Sequence, residues 1–202
     1  MSPQIAKRLF DLIGAALALL LLAPLLAGVA VAIRLDGPGP VFFRQERVGR
    51  GGVLFRIHKF RTMRVDASTL GLQVTVGRDA RITRVGHWLR HHRIDELPQF
   101  IDVLLGSMSL VGPRPEVPRY VARYPAALKS QVLAVRPGIT DPASLANLDE
   151  SALLAAASDP EREYIDQVLP RKLALQAEYA ANATLWSDLL VLGRTLRILL
   201  LR

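Results

Sequence analysis

Residues 12–33 read LIGAALALLLLAPLLAGVAVAI, 22 consecutive positions without a charged or hydrogen-bonding side chain. As a helix at ~1.5 Å per residue, this run is roughly 33 Å long, enough to cross a bilayer core. Lys7 and Arg8 precede it, and Arg34, Arg44, Arg47 and Arg50 follow. A spanning helix usually carries its basic excess on one side, because basic residues resist translocation. Pro24, in the middle of the run, cannot donate to the carbonyl of Leu20 and crowds that turn, so a bend is expected there. A bent helix with basic residues at both ends suits a re-entrant segment that enters and leaves by the cytoplasmic face. A straight single span fits the residues alone equally well. A cleavable leader ending at Ala30-Val31-Ala32 fits less well, since its core would exceed the usual length of about 7–15 residues.

The rest of the composition agrees with a membrane-attached globular protein. Half of the 202 residues are apolar and the mean hydropathy is +0.25, which excludes a disordered chain. Twenty-six basic residues against 18 acidic ones give a net charge of +8. Such a surface expects anionic company: nucleic acid, phosphorylated substrates or acidic lipid. With no cysteine, disulfide scaffolds, thiolate metal sites and cysteine nucleophiles are excluded. The chain divides into a membrane segment, residues 1–35, and a domain over residues 36–202.

The positive charge is concentrated. Residues 34–64 carry a net +6. Val41-Phe42-Phe43 and Val53-Leu54-Phe55-Arg56-Ile57 read as strands joined by a turn at Gly49-Arg50-Gly51-Gly52. In extended continuation Lys59 and Arg61 share one side, as a phosphate grip would need; a charged edge strand that discourages aggregation explains them as well. Residues 82–92 read as a short helix with Ile82, Val85, Trp88 and Leu89 inward. Arg84, His87, Arg90 and His91 lie on its other side. Asp95 then precedes a second apolar-periodic segment ending near Gly106, with Pro98 in its first turn, which places Asp95 as the N-cap and Glu96 just inside. A carboxylate held ionised among cations also suits a nucleophile or a metal ligand. Arg114, between Pro113 and Pro115, has a restricted backbone, which suits planar anion recognition or simply a rigid turn.

Taken in order, these motifs are specific. An apolar segment with a central proline is followed by Gln45-Glu46-Arg47-Val48-Gly49, Lys59-Phe60-Arg61-Thr62-Met63, and Arg90 with Asp95-Glu96-Leu97-Pro98-Gln99. Then come Gly106-Ser107-Met108-Ser109-Leu110-Val111-Gly112-Pro113-Arg114-Pro115 and Arg136-Pro137-Gly138-Ile139-Thr140. The series resembles the bacterial sugar transferases, monotopic polyprenyl-phosphate phosphoglycosyl transferases that begin surface-glycan assembly, in a minimal single-domain form. The fold expected is a small α/β membrane-associated domain with a kinked N-terminal helix, a short β-hairpin and several amphipathic surface helices.

The resemblance implies that Asp95 is the nucleophile of an aspartate–glutamate dyad. It would attack the β-phosphorus of a UDP-sugar, expel UMP and later pass the phosphosugar to polyprenyl phosphate. It further implies Mg2+ as cofactor, near Asp95 and Glu96, with Glu96 the favoured ligand. Lys59, Arg61, Arg90 and Arg114, the last with its flanking Pro113 and Pro115, would handle the phosphates. The expected partners are the UDP-sugar, polyprenyl phosphate and membrane lipid rather than nucleic acid, at the cytoplasmic face of a bacterial inner membrane. Charge supports the chemistry: a carboxylate approaching a phosphate anion at 4 Å meets about 4 kcal/mol of repulsion at an effective dielectric near 20. The rival reading is a membrane-tethered basic binding module without catalysis, which leaves Asp95-Glu96 and the clamped Arg114 unexplained. The chain departs from the usual family pattern at Asp141-Pro142-Ala143-Ser144-Leu145 and at Ala23 before Pro24.

In the last third, Asp159-Pro160 opens a helix through Val168, Pro170 opens another to about Ala181, and a last helix runs from Thr184. Leu185, Leu189, Leu192, Leu196 and Leu199 form one stripe of that helix. Trp186 and Arg202 suit an interface-lying helix; packing on the domain's own core or on a second copy, as a homodimer, is equally open.

Overall fold

The computed structural model describes residues 2–65, 79–146 and 150–201. Its first element, α1, is a 33-residue helix, Pro3–Leu35, capped by Ser2 and continuous through Pro24. The middle of α1 is apolar and bare, with Leu20 and Leu21 72% and 77% exposed. Among the described residues it is the one helix long and apolar enough to cross a membrane.

Both ends of α1 are fastened to the rest of the chain. Near its start, Lys7 Nζ meets Asp11 at 2.7 Å and Asp188 at 3.0 Å and donates to Ser109 Oγ at 2.6 Å. Arg8 donates to the carbonyls of Val103 and Leu104 at 2.8 and 3.2 Å. These belong to the last turn of α3 (Gln99–Leu105), where carbonyls left over at a helix end can take a further donor. At the far end, Val29 and Ile33 pack against Phe60 and Leu89. There Arg61 donates to the carbonyls of Ile33, Gly37 and Pro38 at 3.1, 2.7 and 2.5 Å.

The sheet structure is small. Strands β1 (Phe42–Val48) and β2 (Leu54–Phe60) form an antiparallel hairpin, in register Phe42 with Phe60 through Val48 with Leu54. Both run longer than the apolar residues alone suggest. A tight turn over Arg50–Gly52 joins them. Strands β3 (Ser109–Val111) and β4 (Gly138–Thr140) form a separate parallel pair. Gly112 and Gly138 cross so closely that a Cβ on either would overlap the backbone of the other segment.

Helix α2 (Arg84–His91) starts on a Thr83 cap and buries Leu89. Trp88, expected inward, is instead 49% exposed and stacks at an angle on His92. The helices α4 (Pro118–Val121), α5 (Ala126–Val132), α7 (Glu150–Ala156) and α8 (Pro160–Glu163) are short. With α9 (Leu169–Asn182) they enclose a core of Val121, Val132, Leu154, Tyr164, Leu169 and Leu173. Between them, α6 (Pro142–Ala146) follows β4 directly. A second core joins Ala15 of α1 to Ile57, Val103, Met108, Leu110, Val111 and Val191.

The last helix, α10 (Leu185–Leu200), opens on a Thr184–Ser187 capping box, as expected from its sequence. Of its leucine stripe, only Leu192 packs on the domain's own core, beside Val191. Leu185, Leu189, Leu196 and Leu199 are exposed, while Asp188 and Val191 face inward. The ion pair from Lys7 to Asp188 sets this face beside the start of α1.

Candidate active site

The two carboxylates expected to do chemistry sit on a tight turn, Ile94–Glu96, between α2 and α3. Arg93, just before the turn, has φ 55° and is the one non-glycine residue with a positive φ among those described. That left-handed step ends the α2 direction and costs about 1–3 kcal/mol, as strained backbone at working sites does. It also changes the role of Asp95. The helix after it begins at Gln99 with Pro98 in the cap position and no side-chain cap, so Asp95 is not an N-cap. The chain reverses at Arg93, and the aspartate is carried to the side of the domain where β2 and the Gly112–Pro115 loop meet.

There the cations converge. Lys59, on β2, reaches Glu96 Oε1 at 2.8 Å and Asp95 Oδ2 at 3.5 Å. Arg114 donates through both arms to Glu96, NH2 to Oε1 at 2.5 Å and NH1 to Oε2 at 3.3 Å. Arg90 donates to Thr62 Oγ1 at 2.9 Å and lies close enough to Asp95 to pull its titration downward. Arg61, expected beside Lys59, turns away. The strand ends at Phe60, and the Arg61 guanidinium closes the carbonyl end of α1 instead. Thus Lys59, Arg90 and Arg114 gather around the dyad, and Arg61 anchors the end of α1.

The adjacent acids differ electrostatically. Burial pushes the Asp95 carboxyl above the ordinary aspartate value; Lys59 opposes this, and the negative charge of Glu96 adds to it. Burial acts on Glu96 in the same sense, but Arg114, then Lys59, outweigh it and hold the group well below the usual carboxylate range. One carboxylate is therefore more basic than usual and its neighbour firmly anionic. Environments that separate two acids in this way mark a division of labour.

The Arg114 loop is held at successive peptides. Pro113 O accepts from Gly138 N at 3.0 Å, and Glu116 O from Val48 N at 3.0 Å. Arg114 N donates to Asp141 Oδ2 at 3.3 Å, and Arg47 donates to Pro115 O at 3.0 Å. Behind it, the buried Glu116 carboxylate accepts from Tyr164 OH at 2.5 Å and lies 3.5 Å from Lys172. Burial tends to raise Glu116, but Lys172 and Arg47 outweigh it and lower it below the ordinary glutamate value. Sequence reasoning missed Asp141 and Gln176 as parts of this support. The Asp-Pro start of α6 signals a cap, but nothing local reveals that the second oxygen reaches Arg114. Nor did it anticipate that Asp102 would accept both the backbone N–H of His58, at 2.8 Å, and its Nδ1, at 2.7 Å, fixing β2 one residue from Lys59.

The dyad offers hard oxygen donors, and no group of three or more His, Asp or Glu side chains able to hold a metal exists among the described residues. Two carboxylates at a cationic rim fit Mg2+, which keeps several waters and is bound through one or two carboxylates together with substrate phosphates.

Comparison with known proteins identifies the family. Residues 2–202 match the family model of the bacterial sugar transferases, and the chain belongs to that family. It is 38% identical over 208 residues to the UDP-glucose:undecaprenyl-phosphate glucose-1-phosphate transferase of Caulobacter vibrioides, covering 98% of this chain and 70% of that one. It is 40% identical over 196 residues to the UDP-N-acetylgalactosamine-undecaprenyl-phosphate N-acetylgalactosaminephosphotransferase of Aeromonas hydrophila, covering 96% of this chain and 43% of that one. A third relative, the undecaprenyl-phosphate glucose phosphotransferase of Komagataeibacter xylinus, is 38% identical, with 96% and 36% covered. The chain thus spans less than half the length of two of these three relatives.

Proposed function

We propose that this protein transfers a sugar phosphate from a UDP-sugar to polyprenyl phosphate with release of UMP, through a covalent phosphosugar on Asp95. The observation that carries this reading is the convergence of cations on two adjacent, largely buried carboxylates: Lys59 Nζ lies 2.8 Å from Glu96 and 3.5 Å from Asp95, and Arg114 donates to both oxygens of Glu96. In the first step an Asp95 oxygen attacks the phosphorus that bears the sugar. The bond from that phosphorus to the bridging oxygen breaks, and the oxygen leaves with UMP. In the second step an oxygen of polyprenyl phosphate attacks the same phosphorus, the Asp95–phosphorus bond breaks, and the carboxylate returns.

The raised basicity of Asp95 makes it the better nucleophile of the two acids. Lys59 and Arg114 offset the repulsion between carboxylate and phosphate and stabilise charge on the departing oxygen, the work of a preorganised positive site. Glu96 and Asp95 would hold Mg2+, which when bound would neutralise phosphate charge and act as a Lewis acid. A binding module that merely recruits anions gains nothing from two carboxylates buried among its cations.

The membrane topology is supported by the fastening of α1. Asp11 and Ile33 lie roughly 33 Å apart along a straight helix, about the thickness of a bilayer core. Yet Asp11 accepts from Leu110 N at 3.2 Å, and Ile33 packs on Phe60 and Leu89 of the same domain. A helix crossing the bilayer would carry one of these attachments to the far side. The bare, apolar middle between them, around Pro24, is then a re-entrant segment, and the dyad lies at headgroup level on the cytoplasmic face of the inner membrane. The exposed leucines and Trp186 of α10, tied to α1 through Lys7, suit the same lipid boundary.

The test is UMP release from a panel of UDP-hexoses and UDP-N-acetylhexosamines, with Mg2+ and polyprenyl phosphate. Turnover dependent on all three supports the reading. Salt-sensitive anion binding without turnover would replace it with the binding module.

A further inference from the structure

Asp141 is 1% exposed, and a buried carboxylate is costly unless each oxygen has partners. Oδ1 accepts from Ser144 N at 2.7 Å, the bond that caps α6. Oδ2 accepts from Gln176 Nε2 at 2.8 Å and from Arg114 N at 3.3 Å. A cap alone needs one oxygen, which serine or threonine supplies. The second oxygen is turned toward Arg114. The peptide between Pro113 and Arg114 is therefore held on both polar groups: its carbonyl by Gly138 N, its N–H by Asp141.

Resting on the transferase reading above, we propose that Asp141 is a positioning residue. It locks the peptide plane from which the Arg114 side chain projects, with Gln176 of α9 bracing it from behind. Arg114 must serve two partners in turn, the Glu96 carboxylate and an incoming diphosphate. A side chain can exchange partners quickly and still return to one geometry only if its backbone does not move. Proline on either side removes two rotations, Gly138 and Asp141 hold the remaining plane, and the fork stays aimed at the dyad. A displacement of about 1 Å at such a group costs on the order of 10²-fold in rate.

The test is a double-mutant cycle on the full chain in lipid nanodiscs. The four proteins are wild type, Asp141→Ser, Arg114→Ala and the double variant. Serine keeps the α6 cap but is too short to reach Arg114 N. Two quantities are read: the rate of UMP release, and the affinity for UDP in the presence of Mg2+. We expect Asp141→Ser to weaken both by about tenfold in the wild-type background and by less than twofold in the Arg114→Ala background, because pairwise coupling vanishes once its partner is gone. Equal losses in both backgrounds, or no loss in either, overturn the proposal, since a purely structural residue gives additive effects. Should Asp141→Ser not fold, Gln176→Leu leaves cap and carboxylate in place and carries the same cycle, with a loss of about threefold expected only where Arg114 is present. A wild-type chain that releases UMP from no donor would sink the transferase reading, while the UDP-affinity cycle would still decide the coupling of Asp141 to Arg114.

Discussion

Arg114 and Glu96, 18 residues apart, meet as a two-armed ion pair with NH2 to Oε1 at 2.5 Å and NH1 to Oε2 at 3.3 Å. A planar fork on a carboxylate fixes orientation as well as charge, which an ammonium cannot do. Arg114→Lys should therefore lower kcat/KM for the sugar donor by about 10²-fold while the protein remains folded. Steady-state UMP release with thermal melting checks this; a loss below threefold would show that charge alone suffices.

Asp95→Asn separates activity from stability. Burial raises the Asp95 carboxyl above its unfolded value, so its ionised form destabilises the fold at neutral pH. A neutral isostere should melt at or above the wild-type temperature while losing at least ~10³-fold in turnover. Melting well below wild type would contradict the assigned electrostatics.

Acid should act in the opposite sense through Glu96 and Glu116. Both are held below the ordinary glutamate value of 4.5. Each contributes stability fully present above that unfolded value and lost as pH falls through the lower folded one. Denaturant midpoints between pH 7 and 3 should fall below about pH 4.5, and Glu116→Gln should flatten part of that slope. An unchanged slope in this variant would remove Glu116 from the explanation.

Lys7 stands between two inward acids, Asp11 and Asp188. Lys7→Met leaves both without their cation and should cost about 3 kcal/mol. Adding Asp11→Asn and Asp188→Asn should recover most of it. Denaturant unfolding in detergent measures both, and a single variant as stable as wild type would show that this fastening of α1 contributes little.

The sequence made local features legible and left non-local ones hidden. Residues 12–33 announced the long apolar helix α1, Thr184 the start of α10, and Gly106 the end of α3, where it takes φ 91°. Each is decided within a few residues. Pairing across the chain is not. Three-residue strands such as Ser109–Val111 and Gly138–Thr140 have too few side chains to show a period. Strand alternation put Arg61 beside Lys59, but the strand stops at Phe60, and the carbonyls closing α1 compete for the guanidinium. Asp95 looked like a cap because the left-handed turn at Arg93, a residue with no special liking for it, is imposed by packing. The dyad and the cations Lys59, Arg90 and Arg114 were legible from their order, whereas the place of Arg61 and the support from Asp141 and Gln176 depended on the fold.

The most direct measurement is intact-mass spectrometry of the purified chain incubated with a labelled UDP-sugar and Mg2+, without polyprenyl phosphate, and quenched rapidly. The expected result is a mass gain of one phosphosugar, mapped to the peptide containing Asp95, absent in Asp95→Asn and discharged on addition of polyprenyl phosphate. An enzyme that turns over with both substrates yet never carries the label on Asp95 would contradict a covalent route.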